Sequence, residues 1–300
     1  MGKILKSMIG LVVKALSGFY YVESGNVVYE CKARGRFRSI GESPLVGDKV
    51  EFTPNGEKGV IDSIFDRKNY LIRPPVANID KLFIISSAST PSPNFLLIDK
   101  MTVLCEYNGI EPIIVFNKCD LSDLSDYVNK YKKVGYKAIE CSSISGQGID
   151  EIKIELKNSV TAFTGNSGVG KSSILNVVFP KLNLSTGEVS DKLGRGRHTT
   201  RHTELFANEY GGYVADTPGF SAIEYTIQDM SFIENLDEFF PEFSEYKSNC
   251  KFTDCRHIGE KGCAICSAAE DSFICSERLT SYQTIYNEIK SIKPWELKKN

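Results

Sequence analysis

A chain of 300 residues is long enough for two or three domains, since one domain typically takes ~100–200 residues. With 41% hydrophobic and 25% charged residues, it has the composition of an ordinary soluble globular protein. Its formal net charge of −2 argues against a uniformly basic nucleic-acid binder but allows local basic patches.

The first 68 residues contain short runs rich in β-branched and aromatic residues, separated by glycine and polar turns. The runs are MIGLVVKAL, FYYVESG, NVVYECKARG, GDKVEFTP and KGVIDSIF. Five short strands in ~60 residues are typical of a small closed barrel. We therefore predict an OB-type β-barrel over residues 1–68, and an SH3-like barrel is the alternative.

Basic residues alternate near the end of the third run, at Lys32, Arg34, Arg36 and Arg38. If the strand continued through them, all four side chains would lie on one face. Such a row is typical either of a solvated edge strand, which it protects from aggregation, or of a surface that contacts RNA.

The paired prolines in RPPVANID, residues 73–80, indicate a boundary. Apolar strands then alternate with helical segments; the strands are KLFIISSA, EPIIVFNKCD, KAIECSS and SVTAFTG, and the helices NFLLIDKMTVLCEYNG, SDYVNKYKKVG and GIDEIKIELK. This alternation predicts an α/β domain with a mostly parallel sheet over residues 69–224, whose ligands lie at the strand ends.

The residues NKCD, 117–120, end a predicted buried strand. The Asp120 carboxylate can accept hydrogen bonds from N1–H and N2–H₂ of guanine, a paired donor edge that adenine lacks. Asn117 can hold the loop, and the stem of Lys118 can cover the ring. In CSSISG, residues 141–146, a backbone amide can reach the guanine O6.

Residues 165–173 read GNSGVGKSS and match the phosphate loop G-x-x-x-x-G-K-[ST] at every defined position. Its glycines let backbone N–H groups turn toward phosphates at the start of the following helix. Lys171 would reach the outer phosphates, and the Ser172 hydroxyl would bind Mg²⁺.

The sequence GGYVADTPG places Asp216 at a predicted strand end and Gly219 after it. The carboxylate can hold Mg²⁺ through water, and the glycine amide can face the terminal phosphate. Between the two phosphate motifs, GRGRHTTRH at residues 194–202 contains Thr199 and Thr200. Either threonine can sense the terminal phosphate and Mg²⁺, and the sequence does not choose between them.

The motif order is reversed, because NKCD precedes the phosphate loop, which in ordinary GTPases comes first. Each loop of a parallel sheet depends on its own strand and helix, so a chain can be cut and rejoined without separating the loops. We interpret the chain as a permuted guanine-nucleotide enzyme.

Residues 225–300 are predicted to be mainly helical around a cluster of cysteines. Cys250, Cys255, His257 and Cys263 offer three thiolates and one imidazole, a closed tetrahedral set for Zn²⁺. Cys266 follows at the spacing of a Cys-x-x-Cys pair and could replace one ligand.

The motif order, the N-terminal barrel and the Cys/His cluster together resemble the RsgA family of circularly permuted GTPases, also called YjeQ or YloQ. The resemblance covers essentially the whole chain. It implies a GTPase that acts late in small ribosomal subunit maturation, contacts ribosomal RNA and is stimulated by the subunit. It also favours Cys250, Cys255, His257 and Cys263 as the ligands of one structural Zn²⁺.

In many GTPases a glutamine after D-x-x-G orients the attacking water, but Phe220 stands there and can form no hydrogen bond with it. The resemblance points instead to His198, before the threonine pair, as the catalytic residue. His202 is the weaker candidate.

The predicted site comprises base, phosphate and metal contacts. The predicted GTP contacts are Asn117, Lys118, Cys119, Asp120, Ser142, Ser143, Gly165, Asn166, Ser167, Gly168, Val169, Gly170, Lys171, Ser172, Ser173 and Gly219. The predicted Mg²⁺ contacts are Ser172, Thr199, Thr200 and Asp216.

No apolar stretch approaches the ~20 residues of a membrane span, and no signal-peptide cleavage site follows the N-terminal segment. We expect a monomeric, cytoplasmic protein with GTP or GDP, the small ribosomal subunit and its RNA as partners. The alternative function is a non-enzymatic RNA-binding module that uses GTP as a structural ligand; NKCD argues against an ATP-using enzyme.

Overall fold

The computed structural model describes residues 6–39, 41–72, 75–88, 91–180, 203–216 and 235–292. The N-terminal strands are β1 (Met8–Leu16), β2 (Phe19–Ser24), β3 (Val27–Ala33), β4 (Lys49–Asn55) and β5 (Lys58–Ile64). They pair in the ring β1-β2-β3-β5-β4, which closes because β1 also pairs with β4. The parallel pairing of β3 with β5 completes an OB-type barrel, as predicted. Its interior is apolar and includes Val12, Val22 and Phe52.

The basic residues near the end of β3 do not continue along one strand. β3 ends at Ala33, and Arg36–Ser39 forms a short helix, α1. Asp62 on β5 draws the chain away from the strand direction, because its carboxylate accepts from Arg34 Nε at 2.6 Å and its backbone carbonyl from Arg36. The prediction that Lys32, Arg34, Arg36 and Arg38 share one strand face is therefore wrong.

A small two-stranded sheet joins the barrel to the next domain. Its strands β6 (Tyr70–Ile72) and β7 (Pro75–Ala77) are antiparallel. Proline is tolerated here because it occupies the first residue of a strand. The predicted break at residues 73–80 thus includes a strand.

The central domain is a sheet with helices on both faces. Its elements are β8 (Lys81–Ser87), α2 (Phe95–Asn108), β9 (Glu111–Asn117), α3 (Ser125–Val134), β10 (Lys137–Cys141), α4 (Ile149–Glu155), β11 (Val160–Thr164), α5 (Lys171–Val178), β12 (Glu204–Ala207) and β13 (Tyr213–Asp216). The order is β10-β9-β8-β11-β13-β12, and only β12 pairs antiparallel within it. The mostly parallel α/β sheet is confirmed, whereas β12 was not predicted.

Two apolar layers enclose this sheet, because successive strand side chains point to opposite faces. Ile84 and Ile114 pack with residues of α2 and α3, whereas Phe83 and Val115 pack with residues of α4 and α5. Buried strands covered on both faces explain the nearly continuous apolar runs in the sequence.

The C-terminal region is helical around a core of aromatic and aliphatic side chains. It contains α6 (Ala264–Glu270), α7 (Ser276–Ser291) and 3₁₀ turns at Pro241–Phe243 and Lys247–Asn249. Phe240, Phe243, Tyr282 and Ile285 are fully buried there. The predicted terminal helix is confirmed, but the described part of DMSFIENLDEFFPEF forms 3₁₀ rather than α-helical turns. Across the described ranges, no helix has the length and apolar character needed to cross a membrane.

A buried arginine joins the C-terminal region to the central domain. Arg278 of α7 is 1% exposed and donates from Nη1 to Asp99 of α2 at 2.7 Å. Its Nε and Nη2 donate to the two carboxylate oxygens of Glu242 at 2.6 and 3.0 Å. The guanidinium also lies 4.8 Å from the ring centre of Phe240. Burial disfavours the charged form, but Asp99 and Glu242 outweigh it and raise the pKa of Arg278.

The barrel is also attached to the central sheet. β1 pairs antiparallel with β12 through Lys14 and Glu204, whose side chains form an ion pair at 2.7 Å. Tyr213 of β13 donates to the Glu23 carboxylate of β2 at 3.3 Å. Barrel strands and central strands therefore form one continuous sheet of 11 strands.

Candidate nucleotide and metal sites

The carboxyl ends of five parallel strands meet at one edge of the central sheet. β10, β9, β8, β11 and β13 end at Cys141, Asn117, Ser87, Thr164 and Asp216. The loops that follow carry the CSS, NKCD and phosphate-loop motifs, and Asp216 itself ends β13. The motifs therefore meet at one edge of the sheet although their order in the chain is reversed, as the permutation hypothesis requires.

Asn117 connects three of the motifs. Its side chain is 1% exposed, and its Nδ2 donates to the Val169 carbonyl of the phosphate loop at 2.9 Å. Its Oδ1 accepts from the Ser143 N–H at 3.3 Å. Lys118 adds a second link, because its Nζ donates to the Gly168 carbonyl at 2.9 Å. NKCD, CSS and the phosphate loop therefore form a single site.

Two glycines of the phosphate loop lie where the Cβ atom of a larger residue would clash with its neighbours. Gly165 has φ = +151°, and a Cβ there would lie 2.3 Å from the Ile85 carbonyl oxygen. Gly170 has φ = +89°, and its Cβ would lie 2.2 Å from Asn117 Nδ2. Any larger residue would displace β8 or the asparagine. Gly170 precedes α5 and has no side chain to cap the first N–H groups of the helix, which point toward the loop.

The CSS loop is held by its own first serine. Ser142 is fully buried, and its hydroxyl accepts from the N–H groups of Ile144 and Ser145 at 3.2 and 3.1 Å. The loop also pairs with the NKCD turn, because Cys119 N–H donates to the Cys141 carbonyl at 3.1 Å. Ser143 is thereby fixed beside Asn117.

Most of the remaining predicted contacts fall on the same edge. Asp120 is exposed at the NKCD turn, and Lys171, Ser172 and Ser173 form the first turn of α5. His198, Thr199, Thr200 and Gly219, with the alternative His202 and the substituted position Phe220, lie outside the described residues.

Two apolar residues at the base motif were not predicted. Leu121 follows Asp120 and is 63% exposed, and Ile144 follows Ser143 and is 85% exposed. The sequence could have suggested both residues, because each directly follows a predicted guanine contact. Exposed aliphatic side chains at this edge are suited to cover the faces of a planar ring.

The C-terminal cysteine cluster has the geometry of a metal site. The ligand atoms of Cys250, Cys255, His257 and Cys263 all lie within 4.8 Å of one another. His257 directs Nδ1 at the sulfur atoms, 3.6 Å from Cys250 and 3.4 Å from Cys263. The imidazole is 3% exposed, and its own carbonyl accepts from Gln283 of α7 at 3.2 Å.

The electrostatics of this cluster also fit a cation. Burial lowers the pKa of His257, so its ring is neutral and can bind a metal at neutral pH. Burial raises the pKa of Cys255 to about 12 and that of Cys263 to about 11, so a metal ion that binds here has to displace the thiol protons. The N–H of Ala264 donates to the Cys250 sulfur at 3.4 Å.

Cys266 stands next to the four-residue set without belonging to it. Its N–H donates to the Cys263 sulfur at 3.4 Å, and its thiol donates to the His257 carbonyl at 3.8 Å. The structure therefore groups the four residues favoured by the family resemblance.

Guanine and phosphate motifs in reversed order on one parallel sheet, beside an OB-type barrel, define a circularly permuted GTPase. The chain belongs to the RsgA GTPase family: the family model described as RsgA GTPase matches residues 64–226, and that described as RsgA N-terminal domain matches residues 9–61.

Relatives of known name span almost the whole chain. It is 45% identical to the small ribosomal subunit biogenesis GTPase RsgA of Caldanaerobacter subterraneus subsp. tengcongensis, over 94% of this chain and 95% of the relative. It is 46% identical to the protein of the same name from Geobacillus thermodenitrificans, over 95% and 98%.

Two solved structures share the fold. YjeQ from Thermotoga maritima superposes with a TM-score of 0.80 at 34% identity and covers 96% of this chain and 100% of that one. YloQ, described as a circularly permuted GTPase, gives a TM-score of 0.79 at 37% identity, with coverage of 98% and 99%.

Proposed function

We propose that the protein hydrolyses GTP and acts in biogenesis of the small ribosomal subunit. The observation that carries the proposal is the Asn117 side chain, which joins the base motif to both the phosphate loop and the Ser143 loop. The names of the relatives supply the process and the partner.

Each motif has one part in binding GTP and GDP. Asp120 selects guanine, the Lys118 stem covers the ring, and the loop at Ser142 and Ser143 reaches O6. Residues 165–173 hold the phosphates through backbone N–H groups and Lys171. Gly219 contacts the terminal phosphate.

Bound Mg²⁺ would supply positive charge at the terminal phosphates. The Ser172 hydroxyl, Asp216 and one of Thr199 and Thr200 would hold it. His198 orients the attacking water, in the role that Phe220 cannot fill.

We assign one Zn²⁺ to Cys250, Cys255, His257 and Cys263. Three thiolates and an imidazole would fill the four positions that Zn²⁺ offers, so no position would remain open for a reactant. The ion is therefore structural and supports the C-terminal domain, which we delimit at residues 225–300. The barrel, residues 1–68, and this domain dock the GTPase domain, residues 69–224, on ribosomal RNA. The protein acts as a monomer in the cytoplasm.

A turnover assay with and without purified small ribosomal subunits tests the proposal. We expect slow GTP hydrolysis by the protein alone and faster hydrolysis when the subunit is added. GTP binding without turnover in either condition would instead support an RNA-binding module that uses GTP as a structural ligand.

His198→Ala is expected to keep GTP affinity and subunit binding but to lose most of the subunit-stimulated turnover. A residue that only orients the attacking water stabilises the transition state of hydrolysis and contributes little to ground-state binding of GTP. The measurement is kcat with saturating subunits, beside the Kd of GTP. His202→Ala is the matched control and should retain most activity. Near-normal stimulated turnover in His198→Ala would transfer the role to His202 or to the ribosome.

Ile144→Ser is expected to weaken binding of GTP and GDP equally, by roughly 5- to 30-fold. Losing the contact of this side chain with the base removes about 1 to 2 kcal/mol of apolar burial, and the base is common to both nucleotides. Calorimetric titration measures both affinities. Ile154→Ser is the control, since Ile154 is 58% exposed on α4 of the same domain. Equal affinities for the two variants would show that Ile144 does not cover the base.

A further inference from the structure

Cys266 lies against the metal cluster, although the four ligand positions are filled without it. Cys263 precedes α6 as its N-cap residue, and Cys266 stands in the first helical turn. The 3.4 Å contact from Cys266 N–H to the Cys263 sulfur holds the two residues across that turn. Cys-x-x-Cys at the start of a helix is the arrangement in which disulfides open and close in thiol oxidoreductases.

The Cys266 thiol lies beside the metal cluster. It donates to the His257 carbonyl at 3.8 Å, so it lies against the backbone of a predicted metal ligand. Cys266 is half-buried and Cys263 is 2% exposed, so Cys266 is the more accessible sulfur of this pair to a small oxidant.

We propose that Cys263 and Cys266 form an oxidation site, at which a peroxide closes a disulfide and thereby releases the metal ion. The proposal rests on the zinc assignment above. Cys266 would then take part in the chemistry of the cluster without being one of the four ligands.

The reaction balances with one peroxide per disulfide. The Cys266 thiol attacks the peroxide, the O–O bond breaks, and a sulfenic acid and one water form. The Cys263 thiolate, detached from the metal ion, then attacks the Cys266 sulfur; the S–O bond breaks, and the leaving hydroxide takes a proton from solvent to form a second water. The Cys266 thiol and the Cys263 thiolate are oxidised to the disulfide, and the peroxide is reduced to two waters. The metal site retains only Cys250, Cys255 and His257, an incomplete shell for Zn²⁺.

The experiment treats the full-length, zinc-loaded protein with hydrogen peroxide. A chromogenic chelator measures zinc release, and mass spectrometry of proteolytic fragments maps the disulfide. The variants are Cys266→Ser, Cys266→Ala and the control Cys275→Ser, which removes a half-buried cysteine outside the cluster that hydrogen-bonds to Glu277. Zinc content is measured before peroxide is added. A wild-type protein that contains no zinc would disprove the zinc assignment, independently of the oxidation chemistry.

We expect the wild type and Cys275→Ser to lose their zinc together with formation of a Cys263–Cys266 disulfide, and dithiothreitol plus Zn²⁺ to reverse both changes. Both Cys266 variants should start with full zinc and retain it longer. Zinc release from them at the wild-type rate, or a mapped disulfide between other cysteines, would overturn the proposal. Loss of zinc from the Cys266 variants before any peroxide is added would identify Cys266 as a ligand instead.

Discussion

Replacing Asp120 by Asn is expected to weaken GTP binding by about 100- to 1,000-fold, because two charge-assisted hydrogen bonds to guanine are lost. The substitution preserves size but places an amide N–H₂ opposite the donors of the base. The same amide can donate to the C2 carbonyl of xanthine. We therefore expect a relative gain for xanthosine triphosphate, measured by competition between the two nucleotides.

Asp123→Asn is the matched control for that experiment. Asp123 is an exposed carboxylate three residues further along the chain, just before α3, and its Oδ1 accepts from the Ser125 N–H at 3.0 Å. An asparagine oxygen can accept the same bond, so the turn should persist and GTP preference remain. If Asp120→Asn also kept the preference for GTP, another group would have to select the base.

Arg278→Met is expected to lower the free energy of unfolding by about 3–5 kcal/mol, the typical loss when one partner of a buried ion pair is removed. Methionine fills part of the volume but leaves Asp99 and Glu242 without their cation at the contact between α2 and α7. Chemical denaturation measures the change.

Two further variants separate charge from packing. Lys153→Met breaks an exposed pair with Asp150, whose side chain is 92% exposed, and should leave stability unchanged. Adding Asp99→Asn and Glu242→Gln to Arg278→Met removes the uncompensated carboxylates and should recover part of the loss. An Arg278→Met protein with wild-type stability would show that the buried pairs contribute nothing net.

The sequence was most informative where structure depends on local pattern. The strands of the barrel and the parallel sheet follow from alternation and apolar runs, and each motif follows its own strand. Their meeting at one edge could be predicted as well, because parallel strands align their carboxyl ends. The hydrogen bond from the Asn117 side chain to the Val169 carbonyl links two of these loops directly.

Features that depend on distant partners were less predictable. β12 is only four residues long, and its pairing with β13 and β1 identifies it as a strand. Arg278 has the appearance of a surface charge in an amphipathic helix, since the carboxylates that allow its burial lie 36 and 179 residues away in sequence. The turn after β3 likewise depends on Asp62 of another strand.

The ion pair between Lys14 and Glu204 attaches the barrel to the strand that follows GRGRHTTRH in the chain. Glu204 is the first residue of β12, and only Thr203 separates it from GRGRHTTRH, the segment that contains His198 and both threonines. Because β12 pairs with β1 at this residue, any shift of β1 within the barrel also moves the residue pair beside which that segment joins the sheet.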